Sequence, residues 1–181
     1  HVIRPVANQN ALDSVRSHIV NLSKKKIGFN LEVESTSWLN RIHEQITIKE
    51  LNDFRIDIIN GINVESEFRQ QYFELARPYL EALVGNELAM QLRVNLSIQL
   101  PQDDSSLLPI HSDTWSGDSP FEVVVWIPLV DCYGTKTMFL LPPQENKKLM
   151  QNFAQHAGKD SETIYQSIAK KVLWLDVRFG E

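Results

Sequence analysis

The sequence predicts an α+β fold in which an N-terminal helical layer packs on a jelly-roll core. Over residues 10–84, apolar residues recur at intervals of three and four, as in amphipathic helices. From Leu92 the period changes to two, as in β-strands. Helical patterns return over residues 144–171, before a last predicted strand. This order favours helices covering one face of an antiparallel sheet, which could close into a jelly roll.

Two helices are predicted near the N-terminus. Residues 10–24 carry an apolar stripe on one helical face, formed by Leu12, Val15, Ile19 and Leu22. Ser35 or Thr36 is suited to cap a second, short helix that runs through Trp38, Leu39 and Ile42.

Two longer helices are predicted to follow. Thr47 and Glu50 have capping-box spacing, in which the two side chains satisfy free N–H groups at a helix start. This helix is expected to stop at Gly61. The longest predicted helix covers residues 66–84, and Gly85 is expected to end it because glycine suits a C-cap.

The predicted strands begin with residues 92–100, where apolar and polar side chains alternate. Apolar segments predict further strands at residues 121–130, 135–141 and 172–179, with helices at 144–157 and 161–171 between the last two. The polar face of the first strand faces either solvent or the barrel interior.

Composition restricts the function. A length of 181 residues suits one domain, and a net charge of −5 argues against a nucleic-acid surface. The single cysteine, Cys132, excludes an internal disulfide and a cysteine-based zinc site, and favours a reducing, cytoplasmic compartment. The chain has no apolar run long enough to cross a bilayer and no signal-peptide pattern.

The segment after the first strand carries the candidate chemistry. His111 and Asp113 are two residues apart, so on an extended backbone their side chains point the same way and can bind one cation. With one more histidine they would form the 2-His-1-carboxylate triad of Fe(II) oxygenases. The alternative is a hydrogen-bonded pair in a surface loop. Trp115 could stack on a sugar ring or pack the loop onto the core, and Asp118 could bind sugar hydroxyls or cap a turn.

Three runs in this region carry a family resemblance: LSIQLP at 96–101, PIHSDTWSGDSPFEVVVW at 109–126 and DCYGTKTMFLLPP at 131–143. They resemble the 2-oxoglutarate/Fe(II) oxygenases of sporadic carbohydrate biosynthesis clusters and, more distantly, the phytanoyl-CoA dioxygenase-like group. The similarity is strong over 92–143 and weaker up to Glu181. It implies a jelly roll, Fe(II), 2-oxoglutarate, and oxidation or hydroxylation of a carbohydrate or sugar-linked substrate in surface polysaccharide biosynthesis.

The resemblance also assigns roles to residues. His111 and Asp113 become the first two iron ligands, and Trp115 and Asp118 are candidates for substrate binding. Polar side chains of the predicted strands are candidates for binding 2-oxoglutarate, namely Asn95, Gln99 and Thr137.

In one respect the chain departs from the family pattern. After a Phe-Gly-Glu sequence like that at 179–181, the family continues into a strand with the distal histidine and an arginine that binds 2-oxoglutarate. We therefore expect one domain over residues 1–181 that lacks its C-terminal strands and has weak or no activity. His156 is the alternative third ligand, although it lies in a predicted helix.

Two other functions remain open at this point. One is a non-catalytic, cupin-like carbohydrate-binding module, which an incomplete triad would permit. The other is a metal-dependent sugar isomerase or epimerase, which would not consume oxygen.

Overall fold

The computed structural model describes residues 3–30 and 32–181. Its contacts divide the chain into two units, which are described separately. The first comprises residues 1–106, 125–131 and 178–181, and the second comprises residues 107–124 and 132–177.

The first unit contains five α-helices: α1 (Gln9–Ile27), α2 (Ser35–Asn40), α3 (Ile48–Val64), α4 (Ser66–Glu74) and α5 (Arg77–Val84). Helix α1 begins after Asn8, whose side chain accepts a hydrogen bond from the N–H of Ala11 at 3.0 Å. Helix α2 is capped by the Glu34 carboxylate, so the prediction of Ser35 or Thr36 as its cap was wrong. The capping box that begins α3 is confirmed.

Helix α3 continues through Gly61, so the predicted stop there was wrong. A Cβ atom at Gly61 would lie 2.9 Å from Cδ1 of Leu22 in α1. The glycine therefore permits α1 and α3 to approach closely rather than ending the helix.

The helix predicted over 66–84 is divided into α4 and α5. Pro78 lies in the first turn of α5, and it has no N–H to donate to the carbonyl of Glu74. Its ring would also clash with that carbonyl in a continuous helix. Gly85 ends α5 as predicted, and its N–H bonds to the carbonyl of Glu81.

The core of the first unit lies between its helices. Helix α1 packs against α3 and α4, and the most deeply buried large side chains of the described residues are Leu12, Ile58, Ile62 and Leu75. The apolar stripes that predicted α1 and α3 are thus the faces that pack together.

The jelly-roll, α+β prediction was wrong, because the described residues are mostly helical. Their only sheet has two antiparallel strands in the second unit, β1 (Phe139–Leu140) and β2 (Leu173–Trp174). Phe139 pairs with Trp174, and Leu140 pairs with Leu173. An isolated bridge joins Cys132 to Val177.

The segment 92–100 shows why the predicted sheet does not form. From Val94 to Leu100 its side chains alternate between a more buried and an exposed face as expected, whereas Leu92, predicted on the apolar face, is 84% exposed. Its backbone, however, bonds to helix side chains rather than to a strand. The Asn63 amide accepts from the N–H of Val94 and donates to its carbonyl, and Arg55 donates to the carbonyl of Ile98. The alternation of apolar and polar residues therefore predicts which face of the segment is buried, but not the partners of its backbone. In this chain, side chains from the helices of the first unit supply those hydrogen-bond partners.

The second unit contains α6 (Pro143–Gln151) and α7 (Ser161–Ile168), with short 3₁₀ turns at Asp113–Ser116 and Phe153–His156. Its core is small. Leu149, Ile164 and Ile168 are buried, and half-buried side chains that include Trp115 and Phe153 pack around them. Among the described residues of the whole chain, no helix combines the length and the apolar character needed to cross a membrane.

Candidate functional site

The predicted His-x-Asp pair lies in a loop of the second unit. Ser112, between the two residues, has an extended backbone (φ −130°, ψ 136°), and Asp113 begins a 3₁₀ turn that ends at Gly117 (φ 98°). The N–H of Asp118 closes the turn onto the carbonyl of Asp113 at 3.2 Å. One extended residue is enough to direct both side chains the same way, as predicted, and Nε2 of His111 lies 3.8 Å from Oδ1 of Asp113.

A backbone contact orients the imidazole of His111. Its Nδ1 atom lies 2.7 Å from the carbonyl oxygen of Pro109. Because a carbonyl oxygen only accepts hydrogen bonds, Nδ1 carries the proton and donates. In the neutral ring Nε2 then has a free lone pair, and this atom lies 3.8 Å from Oδ1 of Asp113. Histidines that bind metals are commonly oriented in this way, through a hydrogen bond from the second ring nitrogen.

The spacing of the two donor atoms fits a transition metal after a small adjustment. Metal–nitrogen and metal–oxygen bonds of about 2.1 Å place two ligands about 3.0 Å apart at a right angle and about 3.4 Å apart at a tetrahedral angle. Closing the observed 3.8 Å gap requires a shift of less than about 1 Å. The side chains are 49% and 50% exposed, so an ion can reach them from solvent.

A third ligand is not found beside this pair. No group of three or more His, Cys, Asp or Glu side chains among residues 3–30 and 32–181 is arranged to bind a metal. His156 lies in the 3₁₀ turn after α6, and its ring is 6.2 Å from that of Phe153. Its Nδ1 atom is buried, without a hydrogen-bond partner among the described atoms.

Trp115 packs the loop onto the core of the second unit. Its ring is half-buried and lies 4.8 Å from the ring of Phe153. Of the two roles considered for Trp115, stacking on a sugar or packing the loop onto the core, this contact corresponds to packing. Trp115 also lines a cavity beside His111. Asp118 is exposed next to the left-handed Gly117, where its N–H closes the turn.

The three predicted 2-oxoglutarate-binding residues lie in different units. The Thr137 hydroxyl, in the second unit, donates a hydrogen bond to the carbonyl of Leu175, so its hydrogen is already used. Asn95 and Gln99 are exposed on the polar face of segment 92–100, in the first unit. Their binding of 2-oxoglutarate stays a prediction.

A small cavity of about 90 Å³ lies directly beside the pair. Its polar lining comes from His111, Ser112 and Asn146, and its walls include Trp115 and Phe139. Sequence reasoning missed Asn146, which α6 brings to the cavity from a distant part of the chain. No short motif links it to His111, so only the packing of α6 could have identified it.

Comparison of the chain with protein-family models, with curated proteins and with solved structures finds no match.

Proposed function

We propose that the chain is an Fe(II)- and 2-oxoglutarate-dependent dioxygenase that oxidises or hydroxylates a carbohydrate or sugar-linked substrate. The observation that carries the proposal is the orientation of His111: its Nδ1–H bonds to the Pro109 carbonyl, and its Nε2 faces the Asp113 carboxylate. The resemblance of residues 92–143 to carbohydrate-cluster oxygenases supports the choice of iron and 2-oxoglutarate. When bound, these two supply the oxidation of a carbon atom by dioxygen.

The residues of the chain have defined tasks in this proposal. His111 is held in one tautomer by its backbone contact, and Asp113 supplies the negative charge that favours a divalent cation. Both side chains are half-exposed, which leaves space for further ligands around the ion. The apolar walls formed by Trp115 and Phe139 exclude water from one side of the site. The third ligand of the triad stays a prediction, and no described residue supplies it.

The test is an anaerobic titration of the chain with Fe(II) and then 2-oxoglutarate, followed by visible absorption. A charge-transfer band that requires both additions is the expected result. His111→Ala and Asp113→Asn should each weaken Fe(II) binding by about tenfold or more, since loss of even an outer partner of a metal-binding histidine has this effect.

The control is His43→Ala, because His43 is exposed and lies in the first unit. It should bind Fe(II) as the unchanged chain does. Equal affinity in the His111, Asp113 and His43 variants would refute the assignment of the ligands. The absence of the band in a folded protein would refute the dioxygenase proposal and favour the non-catalytic carbohydrate-binding module.

Oxygen consumption separates the dioxygenase from a metal-dependent isomerase, which would bind the metal without using oxygen. The low cysteine content, a single and buried Cys132, supports a reducing, cytoplasmic location.

A further inference from the structure

The cavity beside His111 is too small for a whole sugar or a whole 2-oxoglutarate molecule. Water occupies about 30 Å³ per molecule in the liquid, so about 90 Å³ holds roughly three waters or a fragment of about four non-hydrogen atoms. A ligand could therefore insert only one end into it.

The lining selects for a neutral fragment. No Lys, Arg, Asp or Glu is among the described residues that line the cavity. The Asp113 carboxylate, whose Oδ1 lies 3.8 Å from Nε2 of the lining residue His111, repels an anion. A carboxylate would find no positively charged side chain in this lining, whereas a hydroxyl requires only hydrogen bonds.

Hydrogen-bonding capacity is available in the cavity. Asn146 is exposed on α6 and lines the cavity, and its side-chain amide can both donate and accept hydrogen bonds. The hydroxyl of Ser112 is 2.9 Å from that of Thr114, which leaves it further capacity. The rings of Trp115 and Phe139 offer apolar surface to C–H groups.

We propose that this cavity binds a neutral, hydroxyl-bearing two-carbon fragment, such as the end of a sugar or polyol chain, with Asn146 as its hydrogen-bonding partner. The inference builds on the proposed function, because it names the part of the substrate that lies beside the metal ligands. A few convergent polar groups within apolar walls are typical of small-molecule sites.

The experiment compares two probes of equal size, ethylene glycol and acetate, each with four non-hydrogen atoms. Saturation-transfer NMR on the full chain, without metal, detects binding on the order of millimolar, as expected for so small a ligand. Ethylene glycol should give a signal and acetate none. Asn146→Leu should weaken binding of ethylene glycol about fivefold, the effect of losing one hydrogen bond.

Gln144→Leu is the matched control. Gln144 is exposed on the same helix and does not line the cavity, so this variant should bind ethylene glycol normally. Binding of acetate as strong as that of ethylene glycol would overturn the proposal. Unchanged binding in Asn146→Leu, or no binding of ethylene glycol by the folded chain, would also overturn it.

Adding Mn²⁺ separates this inference from the proposed metal site. If both are right, the paramagnetic ion should speed the relaxation of the bound ethylene glycol protons, and His111→Ala should abolish this effect. Binding of ethylene glycol with no effect of Mn²⁺ would support the cavity and contradict the metal site.

Discussion

Replacing Ile58 with alanine tests whether the first unit is held together by the packing of its helices. Ile58 lies in the middle of α3 and is 2% exposed, whereas Ile56 in the same helix is 47% exposed. The two isoleucines share their helix and their chemistry and differ chiefly in burial. The same substitution at the two positions therefore isolates the contribution of the core.

The magnitude follows from the burial of the side chain. Isoleucine to alanine removes three carbon atoms, each contributing about 0.8 kcal/mol when buried, which gives about 2.4 kcal/mol at Ile58. The cavity left behind brings the expected loss to about 3 kcal/mol. Ile56 is about half exposed, so only about half of the 2.4 kcal/mol from burial is lost there. The better helix propensity of alanine offsets part of this, and the expected loss of stability is about 1 kcal/mol or less.

Urea unfolding followed by far-ultraviolet circular dichroism measures both losses, with the slope of the transition checked for constancy. Ile58→Ala should lower the midpoint clearly more than Ile56→Ala does. Equal losses in the two variants would refute the helical packing described for this unit.

Two further predictions concern polar groups of the first unit. Hydrogen bonds from the Ser105 and Ser106 side chains lower the pKa of Asp103 in the folded chain. The ionised carboxylate therefore stabilises the fold at any pH above the ordinary pKa of a carboxyl group. This stabilisation is lost as the pH falls through the lowered pKa of the folded state. Asp103→Asn should therefore lower the urea midpoint at about pH 7 and have less effect towards about pH 2, and an equal effect at both would contradict this. Burial raises the pKa of Tyr72 to about 12, and its hydroxyl donates to the carbonyl of Val125 at 2.7 Å. Tyr72→Phe should remove a phenol that ionises near pH 12 from an absorbance titration and cost about 1 kcal/mol of stability. An unchanged titration at high pH would show that burial does not raise the pKa of Tyr72.

The helices could be predicted because their signals are local. The apolar stripe of α1 and the capping box at Thr47 depend on residues within one or two turns, and both are confirmed. The break before α5 had a local signal in Pro78, which the prediction of one long helix did not use. Gly61 was misinterpreted because its role depends on Leu22 in another helix, and this contact cannot be read from the residues around the glycine.

The strands failed for a related reason. Alternation in segment 92–100 correctly predicts that Val94 is buried and that Asn95 is exposed. It does not specify what the backbone bonds to, since that depends on elements distant in sequence. Here the side chain of Asn63 makes two hydrogen bonds to the backbone of Val94. A period of two thus predicts an extended segment with one buried face, and a sheet requires a partner strand as well.

The same distinction explains why the candidate metal ligands survive the correction of the fold. A jelly roll would have placed His111 and Asp113 on a sheet, yet their spacing depends on the backbone at Ser112 alone, which is extended. The turn that follows is closed by Gly117 at a φ of 98°, a conformation that glycine adopts without strain. The contact of His111 with Pro109 is equally local. The hydrogen bond of the His111 ring and the turn that begins at Asp113 both lie within this loop, so the Fe(II) titration tests the local arrangement of these two ligands.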